Sequence, residues 1–146
     1  MPIRCEIVSQ DRIVFQGDVD IVVLPGVAGQ MGILPHHAPV LTTLDYGIIT
    51  IRKQGEEEHF TVAGGIAEVQ PDQVTILADS AENVEEIDLE RASEARQRAE
   101  ESLKGTVNFD QDRYMRTQSA LKRSNLRIEA VRRYRKGTPH PHSTEE

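Results

Sequence analysis

Hydrophobic and polar positions in this chain follow two different periods, and the change falls near residue 85. Over residues 3–79 the apolar residues come in short alternating runs. Ile3-Arg4-Cys5-Glu6-Ile7-Val8 alternates, Gln10-Asp11 reads as a turn before Ile13-Val14-Phe15, and Gly17-Asp18 separates these from Val19-Asp20-Ile21-Val22-Val23-Leu24. Gly47-Ile48-Ile49-Thr50-Ile51-Arg52, a turn at Gln54-Gly55-Glu56, and Glu58-His59-Phe60-Thr61-Val62 continue the series. Ile66-Ala67-Glu68-Val69, a Pro71-Asp72 turn and Val74-Thr75-Ile76-Leu77 close it. Short β-branched runs with frequent turns predict an antiparallel sandwich or barrel and not a parallel sheet.

Asp79-Ser80-Ala81-Glu82-Asn83 reads as a polar linker, and from Ile87 or Asp88 onward the period becomes helical. Asp88 is a suitable N-cap, and Glu85, Glu86 and Glu90 favour the positive end of a helix dipole. Leu89, Ala92, Arg96, Ala99 and Leu103 recur at three- and four-residue spacing, and Lys104-Gly105 is a suitable stop. A second helix starts at Asn108 or Asp110, with Tyr114, Thr117, Leu121, Ser124, Ile128 and Val131 as its seam. Two helices joined by a short loop predict an antiparallel hairpin. The fold class is therefore a two-part α+β chain: an N-terminal antiparallel β-sandwich over residues 1–84, a C-terminal α-helical hairpin over residues 85–136, and a disordered tail over residues 137–146.

The seams hold Ala, Ser, Thr and Arg where a stable coiled coil would carry Leu. At roughly 25 cal/mol per Å² of apolar burial, small residues offset little of the backbone entropy lost on ordering. The hairpin is expected to be marginal by itself and easily opened. Arg116, Arg123 and Arg127 fall on one face of the second helix, about a quarter turn from its seam, where a solvated charged face is the expectation from spacing alone. The Arg132-Arg133-Tyr134-Arg135-Lys136 cluster complements the dipole at that helix's end.

Composition narrows the chemistry. Cys5 is the only cysteine, so no internal disulfide forms and a reducing compartment is expected, with Cys5 as a small core residue. Met1-Pro2-Ile3-Arg4 has no apolar signal region and no run approaches transmembrane length, so something else must hold the protein at any membrane it serves. The net charge of −7 is unevenly spread. Residues 1–78 carry 10 acids against 4 bases, residues 79–109 carry 9 against 4, and residues 110–146 carry 5 against 9. A basic arm behind an acidic body suggests an acidic partner, or a docking site within the same molecule.

No catalytic constellation emerges. Ser9 and Ser80 have no evident base, and Glu56-Glu57-Glu58 reads as a solvated hairpin tip. Gly26, Gly29 and Gly32 lie in Leu24-Pro25-Gly26-Val27-Ala28-Gly29-Gln30-Met31-Gly32-Ile33-Leu34-Pro35-His36-His37-Ala38-Pro39, but no Gly-Lys-Ser/Thr follows and the prolines block a helix start. That stretch is expected to be a loop needing positive φ values and close backbone approach. Adjacent His36 and His37 point to opposite faces of an extended segment, so a metal site is not expected. Gly64-Gly65 reads as a bulge or tight corner between two strands.

These motifs resemble one known family. Residues 1–136 are similar to the epsilon subunit of bacterial F-type ATP synthase. The likeness is carried by Gly32-Ile33-Leu34-Pro35-His36-His37-Ala38-Pro39, Val62-Ala63-Gly64-Gly65-Ile66-Ala67-Glu68-Val69, Val74-Thr75-Ile76-Leu77-Ala78-Asp79 and Ile87-Asp88-Leu89-Glu90-Arg91-Ala92. Ile66 stands where an aromatic is common in the family. The resemblance implies a ten-stranded β-sandwich and a helical hairpin. It implies a non-catalytic rotor subunit at the cytoplasmic face of the bacterial plasma membrane, held there only through the complex. The sandwich would lie against the gamma subunit and the c-ring, and the basic second helix, when extended, would meet the alpha and beta catalytic subunits. The implied role is to couple proton flow to ATP synthesis and to restrain ATP hydrolysis. Some members bind ATP as a regulatory ligand, with no required cofactor. The matching positions are Ile87, Asp88, Arg91 and Ala92, the upstream acid Glu82, and the second-helix arginines Arg123 and Arg127. Exposed backbone N–H groups with two guanidinium groups are suited to a polyphosphate.

A competing reading is a stand-alone β-sandwich interaction module whose basic helix binds nucleic acid. Its one support is the basic arm, because aromatics able to stack on bases are few.

Overall fold

A computed structural model describes residues 2–104 and 110–135. Gly105, Asn108, Lys136 and the tail over residues 137–146 lie outside the described residues. The chain forms two compact units that meet between Val84 and Glu85.

The first unit is built from β1 (Ile3–Val8), β2 (Ile13–Val19), β3 (Ile21–Gly26), β4 (Gly29–Ile33), β5 (Val40–Lys53), β6 (Glu56–Val69), β7 (Gln73–Ala78) and β8 (Ala81–Asn83). The hydrogen-bonded order is β2-β1-β7-β6-β5-β3-β4, with β8 also paired to β6. All ladders are antiparallel except β1 with β7, which run parallel from Arg4 opposite Gln73 to Val8 opposite Leu77. The sheet folds over, and β2 returns against β5 and β8. The Phe15 and Phe60 rings meet there with centroids 5.7 Å apart and tilted by 59°.

The alternation read from sequence becomes the core. Ile3, Cys5 and Ile7 of β1, Val22 and Leu24 of β3, Ile49 and Ile51 of β5, and Val74 and Ile76 of β7 are all buried in one cluster. Cys5 belongs to that cluster, and burial pushes its thiol up to about 12, as expected of a core residue and not of a nucleophile.

Three sequence expectations change. Residues 24–39 are mainly the β3–β4 hairpin and not a loop. Of its three glycines, Gly29 has a positive φ of 133° and Gly26 is approached closely, since a Cβ there would lie 2.9 Å from the Gly29 carbonyl oxygen, while Gly32 needs neither. Residues 81–83, read as linker, pair with residues 60–62 of β6 as β8. The segments around residues 58–62 and 66–69 are one 14-residue strand, with Gly64 and Gly65 inside it.

That glycine pair is still a corner. The β5–β6 ladder skips Asp45 opposite Gly64, and a Cβ on Gly65 would lie 2.3 Å from the Leu77 carbonyl oxygen. Both glycines have positive φ, and the chain opposite them irregularly spans Asp79 and Ser80 between β7 and β8. The described residues form eight strands where the resemblance implied ten, because β5 and β6 each run unbroken past this corner.

A 3₁₀ turn over Val84–Glu86 leads into the second unit, which holds α1 (Leu89–Lys104) and α2 (Gln111–Tyr134) packed against each other. Asp88 caps α1, accepting from the Arg91 amide at 3.1 Å through its side chain and from the Ala92 amide at 3.0 Å through its carbonyl. Asp110, the second of the two starts read from sequence, caps α2 by accepting from Asp112 and Arg113.

Ala92 and Ala99 are buried in α1, and Ser124, Ile128 and Val131 in α2, as the seams require. Ala130 is buried too, about 100° round the helix from Val131. Tyr114 does not serve the seam and is exposed. α2 has 24 residues against 16 in α1, so its start overhangs by roughly 12 Å at 1.5 Å per residue.

Candidate functional site

Two regions stand out, one on each unit. On the β-unit an apolar row crosses the outer face of the sheet. Ile13 pairs with Val8, Val8 with Leu77, Leu77 with Ile66, and Ile66 with Thr43, whose carbonyl accepts from the Val27 amide at 3.0 Å. Ile13, Leu77 and Ile66 are 59%, 49% and 40% exposed, so an apolar row runs across β2, β1, β7 and β6, and beyond Thr43 of β5 lies Val27 in the β3–β4 turn, 60% exposed. A line of this kind marks a contact surface more often than scattered single residues do. Sequence reading missed it because only inward positions were sought. The signal was present in the apolar pairs Ile7-Val8, Ile13-Val14 and Ile76-Leu77, where strict alternation breaks.

At one end of the same unit, Pro39, Val40, Leu41, Glu68, Val69 and Gln70 line an open groove of about 380 Å³. Leu41 is 68% exposed there. The His36 amide donates to the Pro71 carbonyl at 2.8 Å, and His37 Nδ1 lies 2.7 Å from the Ala38 carbonyl. Among the described residues no group of three or more His, Cys, Asp or Glu is placed to hold a metal ion.

The second region is the start of α1. Asp88 and Arg91 are exposed there, while Ile87 and Ala92 are buried. Contrary to the expectation of exposed N–H groups, the Arg91 amide is not an open donor, because Asp88 Oδ1 accepts its hydrogen bond. A carboxylate also sits where an anion would meet the positive end of the helix dipole. Charge complementarity to a phosphate at this position rests on guanidinium groups.

Arg135, at the end of α2, donates through Nη2 to the Ile87 carbonyl, which fixes the helices as antiparallel. Aligned by that contact, Arg127 lies roughly one turn and Arg123 roughly two turns beyond Arg91 along the axis. Arg123 and Arg127 are half-buried while Arg116 is exposed, so the arginine face is not uniformly solvated as spacing suggested. The structure thus places Arg91 and Ala92 on α1, Ile87 and Asp88 immediately before it, and Arg123 and Arg127 on the helix packed against it. Glu82 belongs to the other unit, on β8 opposite Thr61. Arg135 was read only as a complement to the helix dipole. Its partner lies 48 positions away, and no local pattern announces it.

Comparison with known proteins accounts for both units. Residues 2–84 match the family model for the β-sandwich domain of the ATP synthase delta/epsilon chain, and residues 85–132 match its long α-helix domain. The ATP synthase epsilon chain of Dehalococcoides mccartyi strain BAV1 is 42% identical over 140 residues, covering 92% of this chain and 95% of that one. The epsilon chain of Herpetosiphon aurantiacus is 40% identical, covering 90% and 96%. Among solved structures, a chain in the Euglena gracilis mitochondrial ATP synthase assembly of OSCP, F1 and c-ring is similar at 25% identity and a TM-score of 0.74, covering 89% of this chain and 81% of that one. A chain from the central stalk and c-ring of the Tetrahymena thermophila mitochondrial enzyme shares the fold at 15% identity and a TM-score of 0.57. With family models matching both units in sequence order and relatives aligned over nearly their whole length, this chain belongs to the ATP synthase epsilon chain family.

Proposed function

We propose that this chain is a non-catalytic rotor subunit of a proton-translocating F-type ATP synthase, and that its helical unit is an ATP-sensitive brake on hydrolysis. The observation that carries the brake is the composition of the seam. Ala92, Ala99 and Ser124 occupy closely packed positions where Leu would lock the helices, so the closed hairpin is held by little apolar burial.

A ligand that contacts both helices only when they are closed shifts such an equilibrium by its differential affinity. ATP fits that requirement. Its polyphosphate would be met by Arg91 on α1 and by Arg123 and Arg127 on α2, with Ile87, Asp88 and Ala92 shaping the start of α1 and Glu82 as the upstream acid. Without ATP, α2 would leave α1 and carry Arg123, Arg127 and the basic cluster around Arg132 to acidic surfaces of the alpha and beta subunits. The β-unit would remain docked on the rotor, its outer apolar row against the gamma subunit and its grooved end toward the c-ring. None of the helices among the described residues is long and apolar enough to cross a membrane, so the complex would supply attachment at the cytoplasmic face of the bacterial membrane.

Deleting residues 88–146 is expected to raise ATP hydrolysis by the assembled complex while leaving assembly intact, and unchanged hydrolysis would remove the regulatory reading. For the ligand, calorimetry on the full chain is expected to show ATP binding that Arg123→Ala and Arg127→Ala each weaken. Binding by the variants equal to that of the wild type, or no binding at all, would defeat the site.

A further inference from the structure

The C-cap residue of α2 is tied to the residue that precedes the α1 cap. Arg135 closes α2 with its amide donating to the Val131 carbonyl at 3.1 Å, while its guanidinium Nη2 donates to the carbonyl of Ile87. Arg135 is half-buried with its Nε buried, and Ile87 is 4% exposed, so the contact is part-buried. Both residues lie in the helical unit. We propose that Arg135 is the latch of the closed hairpin, making a charged hydrogen bond that joins the end of α2 to the start of α1 and must break when they part.

Position is the first argument. The helices are connected through residues 105–109, so they separate from the opposite end, where Ile87 and Arg135 meet. A bond at that end lies far along both helices from their covalent connection and is the first lost on opening.

The acceptor is the second. Ile87 immediately precedes Asp88, whose side chain and carbonyl hold the amides of Arg91 and Ala92, so the acceptor is fixed rigidly to the start of α1. The donor is fixed just as firmly to the end of α2, where a positive charge also complements the dipole.

The third is that its neighbours are engaged or turned elsewhere. Arg132 and Arg133 are exposed, and Arg133 is occupied on its own helix by Glu129 at 3.7 Å and by the Tyr134 ring at 5.2 Å. Once the latch opens, the Arg135 guanidinium joins those two in the basic cluster, so one residue serves both states. This inference rests on the two-state reading above but concerns what holds the closed state.

Nitroxide labels at Glu90→Cys and Arg132→Cys, both exposed sites, measure closure in the full chain, and buried Cys5 stays unlabelled. Arg135→Gln is expected to lower the ratio of short to long distances roughly tenfold, the usual scale for losing a hydrogen bond to a charged group. Arg135→Lys is expected to recover part of that loss, and Arg113→Gln, the same charge change at the far end of α2, none of it to lose. A distance distribution for Arg135→Gln that matches the wild type overturns the latch, as does an equal shift in Arg113→Gln. So does a large loss of helical ellipticity in Arg135→Gln, because Arg135 would then hold the helix and not its closure. The two readings fail separately. Unchanged hydrolysis on deleting the hairpin removes the brake and leaves the latch, while a silent Arg135→Gln removes the latch and leaves the brake.

Discussion

The two units solve the burial problem at opposite extremes. In the β-unit, large side chains such as Ile3, Ile7, Leu24, Ile49, Ile51, Phe60 and Ile76 are fully enclosed in one cluster. In the helical unit, α1 buries Ala92 and Ala99, and α2 buries Ser124, Ala130, Ile128 and Val131. Enclosing a large aliphatic or aromatic side chain contributes about 1.5–3 kcal/mol, against about 0.8 for a single CH₂. The first unit is a body whose shape is fixed by its interior. The second encloses fewer and smaller apolar side chains, so polar contacts carry a larger share of what holds its helices together.

Removing a large side chain from each unit is the severest way to break that contrast. Phe60→Ala is expected to cost about 3–5 kcal/mol and to expose the whole β-unit, because Phe60 is fully buried and its ring meets that of Phe15 across the fold. Ile128→Ala is expected to cost about 2 kcal/mol, at the low end for such a change, and to act on the helices alone. Hydrogen exchange resolved along the chain reads both. Phe60→Ala should speed exchange throughout β1–β8, and Ile128→Ala should speed it in α1 and α2 with the strands still protected. If both variants speed exchange everywhere, the units fold as one and the contrast fails.

How much of this was readable beforehand also differs between the units. The β-core was legible because alternation at period two maps directly onto an inside and an outside, and Ile3, Cys5 and Ile7 show it plainly. Residues 81–83 were not, because Ala-Glu-Asn lacks β-branched residues and becomes a strand only through its pairing with residues 60–62. The corner at Gly64 and Gly65 was legible as a corner, but not as one inside a continuous strand. The turn geometry that separates those possibilities lies in Asp45 of β5 and in Asp79 between β7 and β8. The helix caps were legible because Asp88 and Asp110 act on amides two or three residues away. The link from Arg135 to Ile87 and the outer apolar row were not, since each depends on residues brought together only by the fold.

Asp88 separates a folding role from a ligand role at the start of α1. Asp88→Ala removes the acceptor for the Arg91 amide and is expected to cost about 1 kcal/mol of helical-unit stability, while Asp88→Asn retains a good cap and is expected to cost little. Thermal melts followed by ellipticity at 222 nm compare them. If Asp88→Asn melts as early as Asp88→Ala, the carboxylate charge and not the cap geometry is what the helix requires. In that case the helical unit depends on electrostatics more than its seam implies.

The smallest effect belongs to the rigid unit and tests how little its surface charges matter. Arg52 donates to Glu57 at 2.6 and 3.2 Å across the β5–β6 hairpin, and His59 Nε2 lies 3.6 Å from the other carboxylate oxygen. The hydrogen bond from Arg52 is the main reason the Glu57 carboxyl is held below its usual range. Burial opposes it slightly, and the nearby charges of Arg52 and His59 add to it. A carboxyl depressed in the folded state adds stability that is fully present above its unfolded value and is lost as pH falls through the folded one. The contribution should therefore fade below the ordinary carboxylate range. Because the pair is open to solvent, it should also shrink with added salt. Denaturation of the wild type and of Glu57→Gln between about pH 7 and about pH 3 should show a small gap that closes toward the acid end. A gap that widens on acidification would reverse the sign of the argument. A large gap at neutral pH would mean that the β-unit, like the hairpin, depends on its charges.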